Sequence, residues 1–372
     1  MSTPKPLAGR RVVEFTQFIA GPTAAQLLAD FGAEVVKVEP PRGDGSRELP
    51  GTAFGSAYFR CFNTGKESRV LDMGSAEGRA AFHALLAEAD ALVCNLAPGT
   101  LRRLGLGPQD IRSRYPGLVA TFISGFGQQD DRTCMDTIAQ CESGFAWMNG
   151  NLDGTPRIAT SWPVDFYSGL YAALATAMAL LDPARGEGTA AKGTVVDVTM
   201  MEVASAVLLG PAALLLSEGA ALGRPSGNRD RASAPSGVYA CTDGFVYIYG
   251  GLDAYWAALR PIVGGEDASA AERLARADAF DAMVEGWTRR HTVDEVLRVV
   301  GAQGVPAGAV RPPHEGVERI RGLRAGGVSR PMPSGEHVPS FPALFNGARV
   351  NRRPAPPLGG GRRAAEIEGE GQ

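Results

Sequence analysis

Several common signatures are missing from this sequence. Its 372 residues carry 37 basic and 40 acidic side chains, a formal net charge of −3, so no basic field exists to hold a phosphate backbone. We expect no nucleic acid partner. The five cysteines (Cys61, Cys94, Cys134, Cys141, Cys241) contain no C-x-x-C pair, and their odd count and wide spacing fit reduced thiols in a cytoplasmic protein. No metal site is expected. After the first strand-like run stands Thr16-Gln17-Phe18-Ile19-Ala20-Gly21-Pro22 instead of G-x-G-x-x-G, and Gly125-Phe126-Gly127 has Asp130 where a third glycine belongs. Nicotinamide and flavin are therefore not expected. Long hydrophobic runs are absent too: residues 170–181 are Ala-rich and fall short of the roughly 20 residues that cross a bilayer. The polar, basic start MSTPKPLAGRR leads into no apolar core of a signal peptide, so no membrane partner is expected.

What is present is a globular composition, 44% hydrophobic and 21% charged, in a chain long enough for two or three domains. Over the first 130 residues, short apolar runs alternate with amphipathic segments, the pattern of βαβ units around a mostly parallel sheet. Strands are predicted at 11–15, 34–39, 69–71, 91–95, 118–124 and 194–198, and helices at 22–31, 76–89 and 164–181. A polar Gly/Pro/Arg-rich stretch follows, then a hairpin over 238–249 turning at Thr242-Asp243-Gly244, and helices at 254–262 and 270–290. The expected organisation is a Rossmann-like α/β large domain (1–217), a linker (218–236), a smaller α+β domain (237–325), a return segment (326–354) and a flexible tail (355–372). That tail, polar from Arg352 onward, holds too little apolar surface to offset its ordering entropy.

One ordered set of residues goes further. It comprises Pro6-Leu7-Ala8-Gly9, Val13-Glu14-Phe15, Ala20-Gly21-Pro22, Leu28-Ala29-Asp30-Phe31-Gly32-Ala33-Glu34-Val35-Val36-Lys37-Val38-Glu39 and Gly43-Asp44. It continues through Asn63, Lys66, Leu71-Asp72, Asn95, Pro98-Gly99, Leu101, Arg103, Gly105 and Ala139-Gln140, then Asp165, Gly169, Gly193, Asp197-Val198, Met201, Gly227-Asn228 and Ala234-Pro235-Ser236-Gly237. In these residues the chain resembles the family III CoA-transferases (the CaiB/BaiF group), which include formyl-CoA and carnitine CoA-transferases and the related α-methylacyl-CoA racemases.

The resemblance implies transfer of CoA from an acyl-CoA donor to a carboxylic acid, with no permanently bound cofactor and with coenzyme A esters as substrates. It also implies an interlocked homodimer. It places the covalent carrier at Asp165, in Pro163-Val164-Asp165-Phe166-Tyr167-Ser168-Gly169. Apart from the resemblance, Asp165 is an acid in the first turn of a helix behind a proline, where the macrodipole favours its ionised form. Asp136 matches a glutamate of formyl-CoA transferase and is a second catalytic candidate; as a bare sequence feature it is a helix cap ahead of Ile138. Ile19, Ala20, Leu71, Asp72, Met73, Asn95, Leu96, Ala97 and Arg103 are the implied CoA contacts, although an arginine beside Arg102 on a helix face is usually just solvated. Two positions depart from the family: Pro40 and Thr133 stand where formyl-CoA transferase has CoA-contacting basic residues, with Arg42, Arg47 and Arg132 as candidate substitutes. Gly250-Gly251 is the candidate for a glycine-rich substrate loop, or else a strand-exit turn.

Within the resemblance, a racemase needs an acid and a base on opposite sides of an α-carbon. Met135 occupies the position of the racemase histidine, and His83, His291, His314 and His337 lie elsewhere, which disfavours that branch. A catalytically inactive CoA-binding homologue is the other alternative, and retention of Asp165 argues against it. Met135, Trp147, Met148 and Trp162 point to an apolar or branched acyl group.

Overall fold

The structure, a computed structural model, describes residues 3–48, 51–52, 55–186, 192–208, 210, 213, 225–323, 329–331 and 337–360. The chain forms two compact units, one of Met1–Phe145, Ile158–Leu222 and Ile320–Gln372, the other of Ala146–Arg157 and Gly223–Arg319. Residues 218–224 of the expected linker, 324–328 and 332–336 around and within the return segment, and 361–372 of the tail lie outside the described residues.

In the first unit, β1 (Arg11–Phe15), β2 (Glu34–Glu39), β3 (Glu67–Val70), β4 (Ala91–Cys94), β5 (Val119–Ser124) and β6 (Thr194–Thr199) form a wholly parallel sheet. The strand order is β3-β2-β1-β4-β5-β6, so the expected α/β, Rossmann-like class is the one observed. Such an order reverses between β1 and β4 and opens a crevice at their carboxyl ends. Both faces of the sheet are covered, which is why its strands read as near-continuous apolar runs. Val12, Val35, Val93 and Ile123 enter one core, while Val13, Val38, Leu92 and Phe122 enter the other.

The helices that position the crevice are α1 (Ala20–Asp30), α2 (Ala57–Phe62), α3 (Ala76–Ala87), α4 (Pro98–Leu104), α5 (Pro108–Arg114), α6 (Asp136–Glu142), α7 (Pro163–Leu181) and α8 (Met200–Val207). Helix α7 is long and apolar enough, by length and composition, to cross a bilayer, yet it packs on α1 and the sheet. Its Thr176 hydroxyl hydrogen-bonds Thr121 of β5 at 2.6 Å. Gly169 lets the two helices touch: a Cβ there would lie 2.6 Å from Thr23 and 2.7 Å from the Ala20 carbonyl oxygen. Phe166, Tyr167, Leu170, Tyr171, Leu174, Met178 and Leu181 of α7 are exposed.

The described part of the polar stretch from Arg352 is held by the large domain. Arg352 donates to buried Asp30 at 2.6 Å, the Arg353 carbonyl accepts from Gly65, and Gly360 accepts from the Ser68 amide at the sheet edge. Charge pairing and edge hydrogen bonds, together with the burial of Ala355 and Pro356, hold residues 352–360.

The second unit packs the antiparallel strands β7 (Ser236–Ala240), β8 (Phe245–Tyr249) and β9 (Ala307–Ala309) against α9 (Asp253–Val263), α10 (Ala277–Thr288) and α11 (Val293–Ala302). Trp256 and Phe280 meet edge-on in its core at 5.2 Å. The helix predicted over 270–290 is two helices, Ala270–Ala275 and α10, separated at Arg276.

Candidate active site

A cavity of about 240 Å³ sits at the sheet's reversal point. It is lined by residues 17–20 after β1, 95–98 after β4, 123–125 at the end of β5 and 132–135, together with Asp165 and Met200. Six of the predicted site residues are brought together there: Ile19, Ala20, Asn95, Leu96, Ala97 and Asp165. Asn95 earns its place by a reciprocal clamp, accepting from the Gln17 amide and donating to the Gln17 carbonyl, both at 2.8 Å. This ties the two strand ends that flank the crevice.

Asp165 is the third residue of α7, behind Pro163. A helix start leaves its first amides without intrahelical partners, and Trp162, the N-cap, supplies no side-chain acceptor. Asp136 supplies one from another helix: its buried carboxylate accepts from the Asp165 amide at 3.0 Å. Gln140 fixes that carboxylate with its side-chain amide and bonds both ways with the backbone of Ala159, at 2.9 and 2.8 Å. Asp136 thus lies behind the cavity and is not part of its lining.

The sequence suggests a macrodipole that favours the ionised form of Asp165, and in the structure burial outweighs it. Burial, followed by the nearby Asp136 charge, raises the Asp165 carboxyl to about 7. The same carboxylate, after burial, raises the Cys134 thiol to about 11. Tyr58, edge-on to Trp162 at 5.7 Å, is likewise pushed above its ordinary value by burial and by Asp165.

Beneath the cavity floor runs a buried ion network made from the Glu14, Lys37, Asp44 and Lys66 of the resembling segments. Lys37 bridges Glu14 at 3.0 Å and Asp44 at 2.9 Å, while Lys66 reaches Glu14 at 2.8 Å, with all four side chains at 0% exposure. Burial alone would discharge Lys37, but Glu14, Asp44 and Glu39 hold its pKa above the ordinary value. For Lys66 burial prevails, and its pKa falls to about 8.

Other predicted residues are not at the cavity. Leu71 and Met73 pack partly buried against one sheet core, and exposed Asp72 accepts from the Gly74 amide. Arg103 is exposed at the end of α4 and donates to Thr100 at 2.9 Å. Among the candidate substitute cations, Arg132 lines the cavity, Arg42 is exposed away from it, and Arg47 is consumed by a two-pronged pair with Glu39 at 2.7 and 2.8 Å. Gly250-Gly251, in the second unit, is not an exposed loop. Both glycines are buried, bonded to Pro235 and Ser236, and without room for side chains: a Cβ would come within 2.9 Å of Leu259 or 2.3 Å of Ser233. They form the strand-exit turn. Sequence reading missed Gln17, Phe18 and Cys134; only their position after β1 or beside Met135 could have flagged them. Among the described residues no cluster of metal-ligating side chains occurs, and no disulfide joins any of the five cysteines.

Comparison with known proteins finds similar sequences and a similar fold. A family model described as CoA-transferase family III fits residues 7–362. A probable fatty acyl-CoA transferase of Mycobacterium tuberculosis is 34% identical over 287 residues, covering 73% of this chain and 72% of that protein. A succinate–glutarate CoA-transferase of Agrobacterium fabrum is 30% identical over an alignment of 383 residues, covering 95% and 93%. The crystal structure of a CaiB/BaiF family protein from Brucella suis superposes with a TM-score of 0.84 at 30% identity, over 99% of this chain and 100% of that one.

Proposed function

This chain belongs to CoA-transferase family III and is an acyl-CoA:carboxylate CoA-transferase; we propose that it carries first the acyl group and then CoA on Asp165. The observation that carries this reading is a single carboxylate facing the crevice cavity with its pKa raised to about 7. A carboxylate of raised pKa and thin hydration is a stronger nucleophile than a solvated one.

In the proposed cycle an Asp165 oxygen attacks the thioester carbonyl and CoA leaves as thiolate, giving a mixed anhydride. The thiolate attacks the aspartyl carbonyl and releases the donor's carboxylate, leaving an aspartyl-CoA thioester. The acceptor carboxylate attacks that thioester, and the freed thiolate attacks the acceptor's carbonyl in the new anhydride, releasing the product ester and free Asp165. Asp136 and Gln140 act by holding the Asp165 backbone, and Tyr58 and Trp162 beside it limit the water that would hydrolyse an anhydride.

A cavity of about 240 Å³ is far too small for a whole CoA ester. We therefore assign the reacting end of the substrate to it, near residues 95–97 and the start of α1, with Arg132 as the cation at its wall. The nucleotide end lies outside, where Arg103 on α4 and the Leu71-Asp72-Met73 segment remain its proposed contacts. The acyl group is proposed to be apolar or branched, which Phe18, Met135 and Met200 at the cavity support. The exposed apolar face of α7 supports a homodimer, a second copy being the proposed cover.

The test is isotope exchange. Labelled carboxylic acid should enter the CoA ester pool in the presence of an acyl-CoA donor, and Asp165→Asn should stop it.

A further inference from the structure

Three consecutive backbone positions after β1 are each gripped by a different polar side chain. The Thr16 carbonyl accepts from Lys37 Nζ at 3.1 Å, Gln17 is clamped by Asn95, and the Phe18 amide donates to Asp44 Oδ1 at 3.3 Å. This is the turn that glycines shape in nucleotide-binding folds, and here side chains shape it instead. The consequence shows at Phe18, which is held at φ 66°, a left-handed conformation that bulky residues adopt only when their surroundings enforce it.

The grip is built to be rigid. Asp44 is fully buried, anchored by Lys37 at 2.9 Å and by the Ser46 amide and hydroxyl at 2.9 and 2.8 Å. The adjoining Gly45 lies under the ring it orients: a Cβ there would come within 3.2 Å of Phe18 Cζ. Despite its size, Phe18 stays 42% exposed at the cavity that Asp165 also lines. An exposed aromatic in a strained backbone, over-determined by buried charges, is an arrangement for function and not for core stability.

We propose that Asp44, anchored by Lys37, is a positioning residue that locks Phe18 as a selectivity wall of the cavity and so sets which acyl chains reach Asp165. This rests on the transferase reading of the same cavity. The Asp44 carboxylate never meets substrate; it acts through the Phe18 amide. A purely structural role would lower activity toward every ester alike, whereas a positioning role changes the preference between esters.

The experiment compares acetyl-CoA and octanoyl-CoA, by kcat/KM and by equilibrium dissociation constant, in the full-length protein. Phe18→Ala gives the preference without the ring, Asp44→Ala releases the grip, and Gly45→Ala presses on the ring while leaving every ion pair in place. We expect the octanoyl-to-acetyl ratio to shift about fivefold or more in all three variants, with Asp44→Ala approaching the Phe18→Ala value. A folded Asp44→Ala with the wild-type ratio overturns the proposal. So does a wild-type ratio in Phe18→Ala, whether or not Asp44→Ala folds. A shifted ratio without any covalent adduct on Asp165 would uphold this inference while refuting the carrier role; an adduct with unshifted ratios would do the reverse.

Discussion

The backbone amide of Asp165 donates to the carboxylate of Asp136 at 3.0 Å, so the second acid of the site holds the first by its main chain and raises its pKa through space. In its proposed role as nucleophile, Asp165 would act only when ionised. The transfer rate should therefore rise with pH through about 7 and level off above it. Asp136→Asn keeps an acceptor for the amide and removes the charge. The midpoint of the pH–rate profile should then move down, the larger burial contribution remaining. An unmoved midpoint would show that the two carboxylates are not coupled.

Asp165→Asn should abolish transfer, since an amide cannot form the anhydride, and should also stabilise the protein. In the folded state the acid titrates near 7, against the 3.8 of its ordinary value, so it takes up a proton on folding at intermediate pH. Wild-type stability then falls as pH rises from about 4 to 7, and this cost is fully present above 7. The variant should be more stable by about 2–4 kcal/mol at pH 8, with no difference near pH 3, in urea unfolding.

Arg352→Ala should destabilise the large domain by about 3–5 kcal/mol, because it leaves the nearly inaccessible Asp30 carboxylate buried and unpaired. Burial already raises the Asp30 pKa, against the opposing pull of Arg352. The loss should accordingly shrink toward acid pH, where Asp30 escapes by protonation. A loss below about 1 kcal/mol at pH 8 would mean that the return segment is merely draped over the domain.

Met135 lines the cavity with its side chain half exposed, and a thioether cannot exchange a proton. Incubation of a 2-methylacyl-CoA in deuterium oxide should therefore add no α-deuterium above background. Rapid deuteration would identify another base and move the chain to the racemase branch.

The parallel sheet was legible because strands buried on both faces leave unbroken apolar runs; Glu34–Glu39 is observed at its predicted limits. Helices α4, α5 and α6, at seven residues each, are too short to show a period. Asp165 was legible through its motif, but its raised pKa comes from burial and then from Asp136, 29 residues away, through a contact between two helix starts that no local pattern records. Arg352 finds Asp30 across 322 positions, a pairing that no stretch of the sequence announces. Asp44 and Lys37 stood in the sequence as family residues without a role, and only the fold brings them under Phe18.

The most direct measurement is peptide mass spectrometry of the enzyme quenched during turnover with an acyl-CoA. The peptide containing Asp165 should carry the mass of a CoA thioester, or of an aspartyl hydroxamate after hydroxylamine has displaced the CoA thiolate, and Asp165→Asn should carry neither. Full transfer activity with no modification of Asp165, or undiminished turnover by Asp165→Asn, would contradict the account.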